Sequence, residues 1–330
     1  MRNLALDAAL SDRFTGEPAT SAHVDEAFDL AAAELTAAFG FNPDTAEDIR
    51  AWLEPPEGGR SAQLLIRDRE QGALMQWWGA LQEPGGELWH TWIRTHPTVL
   101  DAVGDMLCRF GYTALLDWMR IETPPERSGS RVHSGIAKGD DAAGRRLRDA
   151  GFHYERTFWE MIGSVTDSPQ PARAVAGLST GVARDAATVH QILSDAFTGA
   201  WGYEATPFND WLALEKAMPG YDPDLWVLAE MDGTAVATMI LSRRSAADRA
   251  LYVQELATVA PYRRQGIAAA MLRHAFDVAA AEGYDDVLLH VDSSNEHDAP
   301  TVYRRAGFEV RCAFNAFARD LGTADGDRPS

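Results

Sequence analysis

The sequence predicts an α/β protein made of two similar halves, each with helices packed against a mixed sheet. Three observations indicate this fold class. Segments typical of strands and of helices alternate through the second half of the chain. Asp232-Gly233 joins two strand-like runs in the manner of a tight β-hairpin. The triplet Ala-Gly-Phe recurs 156 positions apart, at residues 150–152 and 306–308, each time before a strand-like run.

Local patterns give the elements of the second half in order. Apolar residues at Val189, Ile192 and Leu193 fall on one helical face, and Gly283 marks a helix end before a buried strand. The predicted strands span Val175–Val182, Leu225–Ala229, Ala235–Ile240, Leu251–Val259 and Val287–Val291, followed by a last pair of strands. The predicted helices span Asp185–Phe197, Pro207–Met218, Gln265–Ala281 and Asp298–Ala306.

The chain divides near its middle. Residues 163–174 are polar, contain Pro169 and Pro171, and lack hydrophobic periodicity, which is typical of a linker. We therefore expect a first domain at residues 1–163, a linker at residues 164–174 and a second domain at residues 175–330.

The first half contains two further signals. Gly111 is followed by a run similar to the one after Gly283, and we expect Gly111 likewise to end a helix before a buried strand. Seven of the ten tryptophans lie in this half. Adjacent Trp77 and Trp78 face opposite sides of a strand, which favours packing in the core and between domains over an aromatic ligand cage.

Composition and charge exclude several classes of function. With 46% hydrophobic residues the chain is too apolar to be disordered. Thirty basic residues against 49 acidic ones give a net charge of −19, which opposes binding to nucleic acid. Cys108 and Cys312 match neither a disulfide framework nor a metal site, so we predict no metal and a reducing compartment. The sequence shows no signal peptide and no apolar stretch of ~18 residues, so we expect a cytoplasmic location and no membrane partner.

A short basic segment between a predicted strand and a predicted helix has the features of a phosphate site. It follows Pro261 and reads Arg263-Arg264-Gln265-Gly266-Ile267-Ala268. Small residues leave the backbone N–H groups at the helix start uncovered, and these groups carry about half a positive charge. With two arginines beside it, the turn is suited to a diphosphate. The spacing alone also fits an ordinary solvated turn.

A second motif follows about thirty residues later, with Asn295, Ala299, Tyr303 and residues 307–308 at regular intervals. Together with Arg-x-x-Gly-x-Ala, it resembles the GNAT (Gcn5-related N-acetyltransferase) superfamily over residues 175–321. The tandem arrangement resembles the mycothiol-synthase-like group, but no His-x-Lys-x-His-like run follows the hairpin, as it would in mycothiol synthase itself. The resemblance implies two tandem GNAT-like domains, each a mixed, mostly antiparallel sheet flanked by helices.

The first half resembles the same fold without its chemistry. With the strand-ending prolines aligned, Val99, Ala102 and Gly104 take the places of the arginine, glycine and alanine of the basic turn. With the Ala-Gly-Phe triplets aligned, Leu147 takes the place of Tyr303. We therefore expect a degenerate first domain that supports the acceptor groove of a catalytic second domain.

The resemblance implies acyl transfer from acetyl-CoA to a primary amine of a small molecule, by direct attack in a ternary complex. Tyr303 is the implied acid for the departing thiolate, and Glu255 is the candidate base. Glu255 is expected to share a strand face with Val253, Ala257 and Val259, where burial raises its pKa. An oxyanion donor is expected among the backbone amides near Val259. The expected contacts to acetyl-CoA come from Val259, Arg263, Arg264, Gln265, Gly266, Ile267, Ala268 and Asn295.

Each of these residues also has a purely structural interpretation. Tyr303 can fill the seam between helix and sheet, Glu255 can pair with an arginine at a strand edge, and Asn295 can cap a helix. His290 and Asp292 project together from the next strand and can supplement or replace Glu255. For His290, a hydrogen-bonded strand histidine is the favoured interpretation.

Two other functions fit the sequence: a non-catalytic acyl-CoA sensor, and an interaction module in which both halves are degenerate. An aminoacyl-tRNA donor is disfavoured by the net charge of −19. Acceptor contacts are expected on the loop Thr198–Phe208 and near the hairpin, and the acidic surface fits a cationic acceptor such as an amino sugar or an aminoglycoside. The sequence is compatible with a monomer or a homodimer.

Overall fold

The computed structural model describes residues 4–54, 57–124, 130–167, 175–201, 203 and 205–322. The described residues form two compact units. The first unit holds the residues up to Thr157 and those from Phe314 onward, and the second unit is Phe158–Ala313. Residues 168–174 of the linker predicted at residues 164–174 lie outside the described residues.

The first unit contains a mixed sheet with helices. Its strands are β1 (Phe14–Pro18), β2 (Arg60–Asp68), β3 (Leu74–Gln82), β4 (Leu88–Thr95), β5 (Arg131–Ala137), the start of β6 (His153–Ser164) and the end of β12 (Glu309–Asp320). Its helices are α1 (Val24–Phe39), α2 (Ala46–Leu53), α3 (Asp101–Glu122) and α4 (Asp141–Asp149). The pairing order is β1-β2-β3-β4-β5-β12, in which β4 and β5 run parallel and the other pairs antiparallel.

The second unit repeats this pattern. Besides the end of β6 and the start of β12, its strands are β7 (Leu178–Val182), β8 (Trp226–Met231), β9 (Thr234–Ser242), β10 (Ala250–Thr258) and β11 (Asp286–Asp292). Its helices are α5 (Ala186–Phe197), α6 (Phe208–Ala217), α7 (Ile267–Glu282) and α8 (Ala299–Arg305). The pairing order is β6-β11-β10-β9-β8-β7, with β10 and β11 as the parallel pair.

These sheets confirm the predicted fold class, a mixed and mostly antiparallel sheet flanked by helices. The expectation of a last pair of strands is wrong, because β12 runs as one strand from Glu309 to Asp320. In the part of the chain that the structure describes, none of the helices is both long enough and apolar enough to span a bilayer.

Tryptophans dominate the core of the first unit. Trp77 and Trp78 are fully buried on opposite faces of β3, as the strand geometry predicts. Trp77 packs among Trp52 and Trp92, with ring centroids 5.4–6.1 Å apart, and its indole N–H donates to the Gln63 side chain at 3.0 Å. Within this unit the aromatic residues therefore pack as core.

Gly111 lies inside α3 and does not end a helix. The strand predicted after Gly111 is therefore wrong, since α3 continues to Glu122. The reason is packing against the sheet: a Cβ atom at this position would lie 2.7 Å from Ile93 Cδ1 and 2.8 Å from Trp78 Cε2. The glycine permits a close approach of the helix to the sheet, a use of glycine that its sequence context alone does not distinguish from a helix stop.

The sheet of the second unit is covered on both faces. One face packs against α7, whose buried residues Met271, Leu272 and Phe276 contact the strands. The other face packs against α5 through Val189 and Ile192. Each helix thus buries one apolar side, as their sequences predict.

Candidate active site

The parallel strands β10 and β11 separate in the middle of the second unit. They pair from Ala250–Asp286 to Val253–Leu289, and each strand then continues without this pairing, to Thr258 and Asp292. The separated segment of β10 leads directly to the basic turn and α7. The candidate site lies along this segment.

A bulge in β10 sets the direction of the side chains in this segment. The register with β9 shifts between Val253 and Glu255, so that Gln254 has no opposite residue. Val253 consequently packs on the α7 side of the sheet, whereas Ala257 packs on the α5 side. The expectation that Val253 and Ala257 share one face with Glu255 is therefore wrong, because a bulge interrupts the alternation on which it was based.

Glu255 is half-buried, and within the described residues its carboxylate has no hydrogen-bond or ion-pair partner. Burial, reinforced by the negative charge of Glu215, raises the pKa of Glu255 to about 8. An arginine partner at a strand edge, the structural alternative for this residue, is not found among the described side chains. A carboxylate with such a pKa is suited to accept a proton near neutral pH.

Glu215, which lies outside the motifs found in the sequence, is a buried carboxylate near the half-buried Glu255. It lies on α6 with 8% of its surface exposed, and the Gln254 side chain donates to its Oε2 at 2.7 Å. Burial raises the pKa of Glu215 to about 7, against the opposing effect of hydrogen bonds from Gln254 and Trp211. Helical spacing is the sequence signal for the burial of Glu215. It follows Trp211 by four residues and Leu212 by three, and therefore lies on the same face of α6.

The N-terminus of α7 lies beyond the end of the separated strand, and within the described residues Gly266 is exposed there, with Val175 Cγ2 3.6 Å from where its Cβ atom would be. Its N-cap is Gly266 with a φ of 86°, no side chain caps the helix, and the first turn contains no acidic residue. The first intrahelical bond is donated by Ala270, which leaves the amides of Ile267 and Ala268 without a helical partner. An anion is the natural partner for such a helix start.

The basic turn places its side chains in different roles. Arg263 is tied into the protein: it donates to the carbonyls of Thr258 and Ala196, each at 2.9 Å, and contacts His297 at 2.7 Å. Arg264 is exposed and has a left-handed backbone with a φ of 64°. Thus Arg264 is the arginine with its guanidinium in solvent.

The remaining residues of the turn offer mainly backbone. Gln265 is exposed and donates to the Pro261 carbonyl at 3.3 Å. The side chain of Ile267 is buried in the core with 1% exposed surface, so only its amide faces the turn. Ala268 is half-buried, and its methyl group leaves the helix start unobstructed.

The backbone amides near Val259 alternate in direction. Val259 itself donates to the Val236 carbonyl at 3.0 Å, so its amide is used within the sheet. In an antiparallel pair, successive amides point to opposite sides. The amides of Leu256 and Thr258 therefore point toward the side from which β11 has separated.

Asn295 lies in the turn between β11 and α8. Its Oδ1 accepts hydrogen bonds from the amides of His297 at 3.0 Å and of Ala299 at 3.4 Å. Its neighbour Asp298 has a left-handed φ of 59°. The side chain thus caps this turn, as the structural alternative describes.

Tyr303 projects from α8 toward the same region as Glu255. It is half-buried, its ring lies 6.2 Å from that of Phe308, and within the described residues its hydroxyl has no hydrogen-bond partner. Burial raises the pKa of Tyr303 well above its usual range, and the charges of Glu255 and Tyr252 add to the effect. The phenol therefore keeps its proton at neutral pH.

His290 is a hydrogen-bonded strand histidine, as the sequence analysis favours. Its Nδ1 lies 2.9 Å from the Tyr252 hydroxyl, and its Nε2 lies 3.4 Å from the carboxylate of Glu160. Glu160 is buried and also pairs with Arg311 at 3.0 Å. Asp292, by contrast, accepts a hydrogen bond from the backbone amide of Ser294 and stabilises a turn. 

The expected acceptor loop after α5 packs through aromatic and polar contacts. Trp201 lies 5.7 Å from Phe158, and the Thr206 carbonyl contacts His190 at 2.9 Å. Residues 202 and 204 of this loop lie outside the described residues.

Part of the chain is similar to known acetyltransferases. Residues 186–308 match the model of the acetyltransferase (GNAT) family. Over 61 residues the chain is 43% identical to N-alpha-acetyltransferase 50 of Danio rerio, an alignment that covers 18% of this chain and 36% of that protein. The chain thus spans about a third of the length of this curated relative.

Two solved structures resemble nearly the whole chain. A GCN5-related N-acetyltransferase from Sphaerobacter thermophilus has a TM-score of 0.77 at 22% identity, covering 94% of this chain and 96% of that one. A tandem GNAT protein from the clavulanic acid biosynthesis pathway has a TM-score of 0.71 at 12% identity, covering 94% and 100%. The family match is confined to residues 186–308, and the chain as a whole has the fold of GNAT proteins, tandem ones included.

Proposed function

We propose that this protein is an acetyl-CoA-dependent N-acyltransferase that acetylates a primary amine of a small molecule in its second unit. One observation carries the proposal: the uncapped start of α7 directly follows a strand that separates from its neighbour beside Glu255 and Tyr303. An anion site and a proton donor and acceptor are thereby placed along one strand. The family match of residues 186–308 supports the same chemistry.

Acetyl-CoA fits the residues at this strand end. The free amides of Ile267 and Ala268 and the solvent-facing Arg264 would hold its diphosphate, while Arg263 would position the turn. Asn295 would hold the turn beside the acyl donor through its capping bonds. The outward amides of Leu256 and Thr258 would stabilise the developing oxyanion near Val259. Bound acetyl-CoA supplies an activated acyl group as a thioester.

The protons move between side chains of this unit. Glu255 takes one proton from the acceptor ammonium, and the nitrogen lone pair then forms the C–N bond to the acyl carbon. The C–S bond breaks with its electrons passing to sulfur, which takes the proton of Tyr303. The second nitrogen proton returns to the Tyr303 oxygen, and Glu255 releases its proton to solvent.

A second candidate for the base is His290. Its contacts to Tyr252 and to Glu160 fix both ring nitrogens, and Tyr252 lies on the strand that carries Glu255. In this alternative the Tyr252 hydroxyl would pass a proton to the imidazole. Separate substitutions of Glu255 and of His290 distinguish these two candidate bases, since only the loss of the true base abolishes the acid limb of the pH profile.

We further propose that the first unit does not transfer acyl groups. Its α3 starts with Asp101 in the first turn, whereas the first turn of α7 has no acid, so a diphosphate would be repelled. At the end of β4 in the first unit, the Glu34 carboxylate accepts a hydrogen bond from the backbone amide of Thr95 at 2.9 Å. It also forms an ion pair with Arg94 at 3.1 Å. A tandem protein with one active unit of this kind would resemble the mycothiol-synthase-like group.

A thiol-release assay tests the proposed function. Purified full-length protein is given acetyl-CoA and, one at a time, alkyl amines, amino sugars and aminoglycosides, and the acetylated product is identified by mass spectrometry. We expect amine-dependent release of CoA with at least one class of acceptor, and loss of release in Glu255→Gln. CoA binding without release for any amine would contradict the enzyme and favour the acyl-CoA sensor. No CoA binding would favour the interaction module.

A further inference from the structure

We propose that Glu215 is a positioning residue that tunes Glu255 through its charge and through Gln254, and that it thereby favours acceptors that arrive as ammonium ions. The inference rests on the proposed function, because it takes Glu255 as the base. It adds a residue that lies outside the motifs of the family resemblance, on α6.

Geometry connects the two carboxylates through the bulge in β10. Gln254 is the extra residue of the bulge, and it immediately precedes Glu255. A bulged residue has no cross-strand partner, so a contact of its side chain can stabilise its conformation. The Gln254 side chain contacts Glu215, whose Oε2 accepts a hydrogen bond from the Gln254 side-chain amide at 2.7 Å. Glu215 thus holds the strand conformation that turns Glu255 toward the α5 side.

Charge connects them as well. Among the described residues, neither Glu215 nor Glu255 has an ion pair, and Lys216 next to Glu215 is exposed. The phenol of Tyr303 also interacts with Glu255, and it carries no positive charge. Two carboxylates close together in a partly desolvated site resist double ionisation, so one of them retains a proton to a higher pH.

A cation is therefore the missing component of this arrangement. An acceptor ammonium would bring one positive charge to a carboxylate pair that the described protein leaves unbalanced. The charge of Glu215 would attract the ammonium, while the raised proton affinity of Glu255 would draw a proton from it. An amine that is already neutral would gain from neither effect.

A direct titration tests the influence of Glu215 on Glu255 without any acceptor. Protein carrying [5-13C]glutamate is titrated by NMR, and the Glu255 resonance is assigned by its loss in Glu255→Gln. We expect Glu215→Gln to lower the titration midpoint of Glu255 by about one pH unit, because a neighbouring negative charge is removed. The exposed Glu309 supplies the control, and Glu309→Gln should leave the midpoint unchanged. An unchanged midpoint in Glu215→Gln would overturn the inference.

The kinetic arm uses an amine that the thiol-release assay identifies. Glu215→Gln keeps an oxygen for the Gln254 hydrogen bond, so the fold is retained. We expect the acid limb of kcat/KM to move to lower pH by the same amount, and KM to rise about tenfold for a basic alkyl amine but not for a weakly basic aromatic amine. Equal KM values for both amines and an unmoved acid limb would refute the role of Glu215. Inactivity of the wild-type protein on every amine would refute the proposed function, while the NMR titration would still decide the coupling.

Discussion

The guanidinium of Arg263 donates to the backbone carbonyl of Ala196 at 2.9 Å and thereby ties the turn before α7 to the last residues of α5. The same side chain donates to Thr258 at the end of β10. Arg263 thus satisfies carbonyls at the ends of two elements that flank the candidate site. Its neighbour Arg264 has its guanidinium in solvent, and the two adjacent arginines are therefore expected to differ in function.

Separate alanine variants of the two arginines test this division. Arg263→Ala should lower the free energy of unfolding by about 2 kcal/mol, since charge-assisted hydrogen bonds to half-buried carbonyls are lost. Arg264→Ala should leave the Tm unchanged and raise the KM for acetyl-CoA about fivefold, with a smaller effect at high salt. Thermal unfolding and steady-state kinetics measure the two effects. A loss of acetyl-CoA affinity in Arg263→Ala but not in Arg264→Ala would show that Arg263, not Arg264, binds acetyl-CoA.

Gly111→Ala should destabilise the protein even though alanine is the better helix former. The gain in helix propensity is about 1 kcal/mol, while the new methyl group would press against Ile93 and Trp78 in a filled core, at a cost of about 1–3 kcal/mol. Urea unfolding followed by tryptophan fluorescence measures the difference. The matched control is Gly135→Ala on β5, where a Cβ atom meets no atom within 4 Å. If Gly111→Ala is more stable than wild type, the helix does not approach the sheet as closely as the structure shows.

The contrast between Gly111 and Gly283 shows how far sequence reasoning reaches in the fold. Both glycines precede a tyrosine and an apolar run, yet Gly283 adopts a left-handed φ of 78° and ends α7, while Gly111 serves a close contact inside α3. The local sequence allows a glycine at either position to end a helix or to permit a close contact. Which use applies depends on the neighbouring Trp78, which is distant in sequence.

The same limit applies to the candidate site. The order of strand, basic turn and helix around Gly266 is local, and the sequence predicts it. The bulge at Gln254 is not visible in the spacing of apolar residues, and it moves Val253 to the other face. Glu215 was overlooked because its importance arises from a contact across 39 sequence positions.

Stability should respond to pH through Glu255. Its pKa is raised from 4.5 to about 8, so the folded protein holds a proton that the unfolded chain releases, and stability falls as the pH rises through this window. Glu255→Gln removes this cost. We expect the Tm of the variant to exceed that of wild type increasingly between pH 5 and pH 8, as followed by calorimetry. A Tm difference that does not change with pH would show that Glu255 has an ordinary pKa in the folded protein.

Tyr303→Phe separates catalysis from binding. We expect kcat to fall about a hundredfold, because no other described side chain of α8 can protonate the thiolate, while CoA binding stays within about twofold of wild type. Stopped-flow thiol release and calorimetric titration provide the two readouts. Unchanged kcat would mean that the thiolate leaves without help from this phenol.

Calorimetric titration of CoA into wild type, Gly266→Glu and Gly283→Glu shows whether the start of α7 holds the diphosphate. Both glycines have left-handed φ at opposite ends of α7, 86° and 78°, so either substitution strains the same helix. We expect binding to wild type and to Gly283→Glu, and none to Gly266→Glu, whose carboxylate would stand at the amides of Ile267 and Ala268. Binding of equal strength to Gly266→Glu would contradict the central claim that the start of α7 holds the diphosphate.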